Sequence, residues 1–163
     1  RGFAAVQRSC YENSRLDWIF LLPADGQVSP TVLKDLIPYC SDFDIVCGTV
    51  VCSPERLGRK ILSSIYHRVV EIIFALKIGK FGSCLLVRRD VINKISIRAE
   101  TPVAMTELLV RARKAGARIV GIEIEKLPRK FGKGSGGAVT TSALHILRDL
   151  GSLWWQVRHA SDR

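Results

Sequence analysis

Two short stretches of this chain carry side chains that can do chemistry. The first is Pro23-Ala24-Asp25-Gly26-Gln27, directly after the apolar run Asp17 to Leu22. Asp25 offers a carboxylate and Gln27 an amide carbonyl. Hard cations such as Mg2+ or Mn2+ take oxygen ligands of this kind and share them with substrate phosphates. An Asp-Gly pair is equally the chemistry of a plain turn. The second stretch, Lys126 to Gly137, reads KLPRKFGKGSGG. Its glycines let backbone N–H groups approach a phosphate, and an Arg such as Arg129 grips one with two parallel bonds. Gly132, Gly134 and Gly137 spell G-x-G-x-x-G. A dinucleotide-binding motif, however, follows its strand at once and opens a helix. Here KLPRK intervenes, so that reading is rejected, and the alternative to phosphate binding is a surface loop.

Charge supports an anionic partner. Lys plus Arg number 25 and Asp plus Glu 15, a net charge of +10 over 163 residues. Eight of the basic residues fall between Arg111 and Lys133, opposed only by Glu123 and Glu125. Such a field draws phosphates on nucleotides, lipids or nucleic acids. Aromatic residues are only 7% of the chain, and the basic window lacks the interleaved rings of single-strand binders. Cys10, Cys40, Cys47, Cys52 and Cys84 form no C-x-x-C pair, and His67, His145 and His159 lack ligand spacing. Structural zinc is therefore not expected. The thiols read as buried or half-buried free cysteines of a reducing compartment.

Alternating strands and helices must position these stretches. Helices are expected over Gly2–Asn13, Ser29–Tyr39, Arg59–Leu76, Thr101–Ala115 and Val139–Val157. Ser29-Pro30 and Thr101-Pro102 supply cap-then-proline starts, and Gly116 a stop. Strands are expected over Asp17–Leu22, Asp44–Val51, Ser83–Val87 and Arg118–Ile124. The alternation implies a mostly parallel sheet covered on its faces, with ligands outside the strands' carboxyl ends. No apolar run reaches the ~18 residues of a bilayer span. The last helix carries Trp154 and Trp155 beside Arg148 and Arg158. It fits either a membrane interface or a core-packing helix.

WIFLLPADGQVSP resembles the strand-plus-acid motif of family 2 glycosyltransferases, in the branch of dolichol-phosphate mannose synthases and bacterial enzymes acting on polyprenyl phosphate. That motif ends in Asp-x-Asp, followed by a Gln two residues on. Asp25 matches the second acid and Gln27 the Gln, whereas Pro23 stands where the first acid would be. DFDIVCGTVV is similar to the next strand, and Arg59 and Ser63 match positions on the helix after it. GSCLLVRRDVI shares Arg88, Arg89 and Asp90 with S-G-F-R-L-x-R-R-E-V-L but departs from it at Gly82 to Leu85. ELLVRARKAGARIVGIEI is similar to the helix and strand near the end of the catalytic domain. Arg129-Lys130-Phe131-Gly132 matches R-x-x-G, without the Ser-Lys that normally follows.

The resemblance implies a GT-A-like α/β fold: a mixed, mostly parallel sheet flanked by helices (Rossmann-like). Residues 1–137 would be a catalytic domain whose first strand and helix are missing from an N-terminally truncated chain. Residues 138–163 would be an amphipathic helix that is membrane-peripheral. The implied activity is sugar transfer from a nucleotide sugar to polyprenyl phosphate. Asp25 and Gln27 would hold Mg2+ or Mn2+. Asp25 and Arg129 would be catalytic, and Lys130, Gly132, Lys133 and Glu107 would bind substrate or phosphate, with Glu107 orienting the acceptor or pairing with an Arg. Arg88 and Arg89 are expected to cap a strand end or face a membrane. The protein would sit at the cytoplasmic face of a membrane, with no nucleic-acid partner. Where the family often places a general-base Asp, this chain has Met105. A thioether is no base, but a lipid phosphate is already an anion and needs little deprotonation. Two alternatives follow from the residues: a non-catalytic relative that binds phosphate or a partner, and a basic nucleic-acid-binding domain.

Overall fold

Apolar runs covered on both faces organise a four-stranded sheet, with β2 buried at every position and β3 at all but its last. The computed structural model describes residues 3–50, 57–128 and 139–159. The strands are β1 (Trp18–Leu21), β2 (Ile45–Val50), β3 (Cys84–Arg88) and β4 (Ile119–Ile124), in the spatial order β1-β3-β2-β4. β3 is antiparallel to β1 and β2, while β2 and β4 are parallel. The sheet is mixed, as expected. β1, β2 and β4 run one way, and the reversed β3 sits inside the sheet, so that two of its three pairings are antiparallel.

Side chains two apart share a face. Ile19, Ile45, Cys47, Leu85 and Val87 point into the larger core, with Tyr11, Val70, Leu108, Leu109, Leu150 and Leu153 from the helices. Val46, Val50, Cys84, Leu86 and Ile124 point the other way, onto Val28, Val32 and Leu36. Two glycines bring segments close to the sheet. A Cβ at Gly48 would run into Cys84 Sγ and lie 2.7 Å from Ile124 Cδ1. A Cβ at Gly121 would strike the Ile78 carbonyl oxygen, so the chain before β3 crosses the sheet where glycine leaves room.

The helices are α1 (Phe3–Asn13), α2 (Leu33–Leu36), α3 (Leu57–Phe74), α4 (Arg89–Asn93), α5 (Val103–Lys114) and α6 (Val139–His159). The helix expected over Ser29–Tyr39 is broken into a turn of α2 between two 3-10 segments, Pro30–Val32 and Ile37–Ser41. Pro38 explains the break, because it removes one N–H and its ring crowds the carbonyl four residues back. Ser29 does cap, its Oγ accepting from Thr31 N at 3.3 Å. Thr101 Oγ1 likewise accepts from Val103 N at 3.3 Å, and Gly116 closes α5 with φ 86°. Asp149 on α6 fixes this start by accepting from Thr101 Oγ1 at 2.8 Å. Sequence periodicity did not reveal α4, which is too short to show a repeat.

Cys10, Cys40, Cys47 and Cys84 are free thiols, and Cys52 lies outside the described residues. Cys47 and Cys84 are buried and Cys40 is half-buried, but Cys10 is exposed, against expectation. Burial raises the Cys47 pKa and pushes Cys84 up to about 11. Neither is a nucleophile at neutral pH, since the thiolate is the reactive form.

Candidate functional site

The shared direction of β1, β2 and β4 collects their carboxyl ends at one edge of the sheet, the edge where such folds bind ligands. The Asp25 loop leaves β1 at this edge. Asp25 Oδ1 accepts from Gln27 N at 3.1 Å across Gly26, whose φ is 71°. This is the Asx turn that an Asp-Gly pair favours. Gln27 is only 8% exposed, and Val28 beyond it enters the smaller core. One side of the loop is thus anchored in apolar packing, while Asp25 remains partly exposed.

A backbone bond joins this loop to the chain that follows β4. Leu127 N donates to the Gln27 carbonyl oxygen at 2.8 Å. Leu127 stands two residues before Arg129. The acid loop and the entry to the basic stretch are therefore held side by side at the same edge. Arg129, Lys130, Gly132 and Lys133 themselves lie outside the described residues. No group of three or more His, Cys, Asp or Glu suited to a metal occurs among the described residues. In the loop between β1 and the Ser29 cap, the side chains that bear oxygen donors are Asp25 and Gln27. That donor set fits a cation which also takes phosphate oxygens and water, the usual habit of Mg2+, rather than a closed protein cage.

Glu107 is built differently. It lies on α5, 2% exposed. Its Oε2 accepts from Arg98 N at 2.8 Å and Ala99 N at 2.7 Å. Its Oε1 accepts from Arg111 Nε at 2.7 Å, and Arg111 Nη2 donates to Gln156 Oε1 at 2.6 Å. Both carboxylate oxygens are thus engaged by protein donors that tie together α5, α6 and the segment before α5. Of the two roles expected for Glu107, pairing with an Arg is the one this geometry contains. Met105 is buried, with Gln7 Nε2 3.8 Å from its Sδ. Beside it the Thr106 and Tyr66 hydroxyls lie 2.6 Å apart.

Arg88 and Arg89 lie at the opposite edge. Arg88, the last residue of β3, is 3.4 Å from both Asp44 and Asp90, and Arg89 Nε donates to Leu16 O at 2.9 Å. They close strand ends, the first of their two expected roles. Ser63 sits on α3, its Oγ 3.5 Å from His67 Nδ1. His67 Nε2 lies 3.0 Å from Phe81 O, which ties α3 to the segment before β3. Sequence reasoning passed over this contact and the Leu127–Gln27 bond. Both use backbone atoms, which leave no trace in residue type.

α6 turns Leu150 and Leu153 into the larger core and leaves Leu147 and Trp155 exposed. Arg158 stacks over Trp154, 4.9 Å from the ring centre. No helix among the described residues is long and apolar enough to cross a membrane.

No protein-family profile matches the chain, and neither does any curated protein sequence. Solved structures do. Glucosyl-3-phosphoglycerate synthase from Mycobacterium tuberculosis, in complex with phosphoglyceric acid, superposes with a TM-score of 0.62 at 14% identity. The match covers 96% of this chain and 52% of that one. The same enzyme with Mn2+, uridine diphosphate and glucosyl-3-phosphoglycerate gives 0.60 at 14% identity, with the same coverage. The chain has a GT-A-like fold. It spans about half the length of the structures it resembles. A third structure of that enzyme, with Mn2+, UDP-glucose and glycerol 3-phosphate, gives 0.55 at 13% identity. These likenesses concern the fold.

Proposed function

We propose that this chain is part of a metal-assisted glycosyltransferase that moves a sugar from a nucleotide sugar to polyprenyl phosphate. The observation that carries the reading is the Leu127–Gln27 bond, which holds the acid loop beside the entry to the basic stretch. The fold likeness to an enzyme crystallised with Mn2+ and with uridine diphosphate or UDP-glucose supports the donor half. The lipid acceptor is this reading's own step.

Asp25 and Gln27 would hold Mg2+ or Mn2+ together with the donor diphosphate. A cation there, when bound, neutralises charge on the leaving group. Arg129, Lys130 and Lys133, with the Gly132 backbone, would grip the diphosphate and the acceptor phosphate. An acceptor phosphate oxygen attacks the anomeric carbon from the side opposite the diphosphate. The carbon–oxygen bond to the diphosphate breaks, its electron pair leaves with that group, and the anomeric configuration inverts. A phosphate anion carries no proton that must be removed, so burial of Met105 where a base often stands does not obstruct the step. Glu107 would act at one remove, by fixing Arg98 and Ala99. The enzyme would work at the cytoplasmic face of a membrane, with α6 as its peripheral contact.

The test is transfer of labelled sugar from UDP-glucose or GDP-mannose, with Mn2+, to undecaprenyl phosphate and separately to 3-phosphoglycerate. A labelled lipid that disappears in Asp25→Asn is expected. Label on phosphoglycerate alone would overturn the acceptor. A second reading, a non-catalytic phosphate-binding relative, is favoured by Pro23, which cannot ligate a metal. Pro23→Asp separates the two. Little change in turnover is expected of a working enzyme, and a large gain marks a crippled site.

A further inference from the structure

Helix α3 presents an apolar face to solvent that nothing in the described fold covers. Leu57, Ile61, Leu62, Ile65, Ile72 and Ile73 are all exposed, Leu57 at 73% and Ile72 at 70%. At 100° per residue these six fall within about half of the helix circumference. The opposite side carries buried Val70 and the half-buried Tyr66 and His67 that join the fold. The helix has 18 residues, about 27 Å at 1.5 Å each. Exposed aliphatic side chains in one continuous patch mark an interaction surface.

The surroundings select the partner. Lys60 and Arg68 are exposed on α3, Lys60 beside the aliphatic arc and Arg68 within its edge, and Lys77, Lys80 and Arg113 are exposed elsewhere in the fold. Arg113 is placed near α3 by the bond it donates to Ala75 O, just past the end of the helix. The acid on α3 is Glu71, already paired with Arg68 at 2.9 Å. An aliphatic face with basic residues at its edge and just beyond its end is the pattern of a helix that lies in the plane of an anionic membrane, its side chains among the acyl chains and its cations at the headgroups. A second copy is a poorer occupant. A two-fold pair would set the same basic residues against themselves, in a chain whose net charge is already +10.

We infer that α3 is the surface by which this protein docks on anionic lipid bilayers. The inference goes beyond the reading above, which assigned lipid contact to α6, and it needs neither sugar nucleotide nor metal. If it holds, α3 lies along the bilayer surface and does not span it.

The experiment is co-sedimentation with phosphatidylcholine vesicles, with or without about one-third phosphatidylglycerol, at low and high salt. Wild-type protein is expected to bind the phosphatidylglycerol vesicles and to release as salt rises. The double variant Ile65→Gln/Ile72→Gln alters two exposed positions, and its fold is checked by circular dichroism and melting. It should bind about tenfold more weakly with an unchanged melting curve. Leu16→Ala, at an exposed aliphatic residue outside both α3 and α6, should stay within about twofold of wild type. Absence of wild-type binding, or undiminished binding by the double variant, would overturn the inference. So would a dimer in analytical ultracentrifugation that the double variant dissolves without any effect on vesicle binding. Vesicle binding by a protein that transfers no sugar would leave the docking surface intact and count only against the proposed reaction.

Discussion

Asp25 and Glu107 are both acids that the sequence singles out, and the fold treats them in opposite ways. Glu107 is almost wholly buried, and its two oxygens take three donors from Arg98, Ala99 and Arg111. Asp25 is partly exposed and shapes its own turn by accepting from Gln27 N. A buried carboxylate must be matched by donors, and once matched it holds structure together. A carboxylate at the carboxyl edge of the sheet, on a turn anchored by Val28 and Leu127, is positioned without being enclosed. The first arrangement is a fastener and the second suits a binding site.

The largest effect that would break this contrast is on stability. Glu107→Ala strands the half-buried Arg111 guanidinium and two backbone N–H groups, so it should cost about 3–5 kcal/mol. For a domain of this size that lowers the melting temperature by roughly 10 °C. A fall of only a degree or two in calorimetry would show that the network holds little.

Next in size is an alkaline effect on the buried side of the sheet. Cys84 has an ordinary pKa of 9.0 and is pushed up to about 11, first by desolvation. The unfolded chain therefore loses this proton at lower pH than the native one. The stabilisation is complete below pH 9 and declines as pH rises from 9 to about 11, in total on the order of 2 kcal/mol. Urea unfolding across that range measures it, and Cys84→Ala should flatten the decline. Cys47, raised by burial in the same sense, adds to the slope.

A smaller loss is expected at the start of α5. Asp149→Ala removes the acceptor of Thr101 Oγ1 and Thr101 N, at 2.8 Å and 3.3 Å. The cost should be about 1 kcal/mol by denaturant unfolding. A cost as large as that of Glu107→Ala would mean that the α5–α6 contact, rather than the buried carboxylate, is the main fastener. The smallest effect belongs to Asp25→Asn. The amide oxygen still accepts from Gln27 N, so stability should shift by less than about 0.5 kcal/mol. A large loss would place Asp25 among the fasteners.

The four strands and the carboxyl edge were legible because apolar, β-branched runs such as DWIFLL and DIVCGTVV are bounded by turn residues. Strand direction was not legible. A continuous apolar run such as that of β3 looks the same whichever way it runs, so its reversal between β1 and β2 required the three-dimensional structure. The break at Pro38 was readable in principle, but the cap at Ser29 outweighed it. The Asp25–Gln27 turn was visible from residue type alone. The partners of Glu107 were half visible. Arg111 stands four residues on, on the same helix face, whereas the N–H groups of Arg98 and Ala99 belong to the backbone. The two long helices also differ in a way that their sequences hide. α6 turns Leu150 and Leu153 into the core, while α3 leaves six aliphatic residues outside it.

The central claim is that the Asp25 loop binds a metal–diphosphate group. Its most direct test is calorimetric titration of UDP and GDP into wild type and Asp25→Asn, each with and without Mn2+. The account predicts that Mn2+ strengthens binding of at least one nucleotide to wild type. It also predicts that this gain falls about tenfold or more in a variant that melts like wild type. Equal, metal-independent binding by both proteins, or no binding by either, would contradict it.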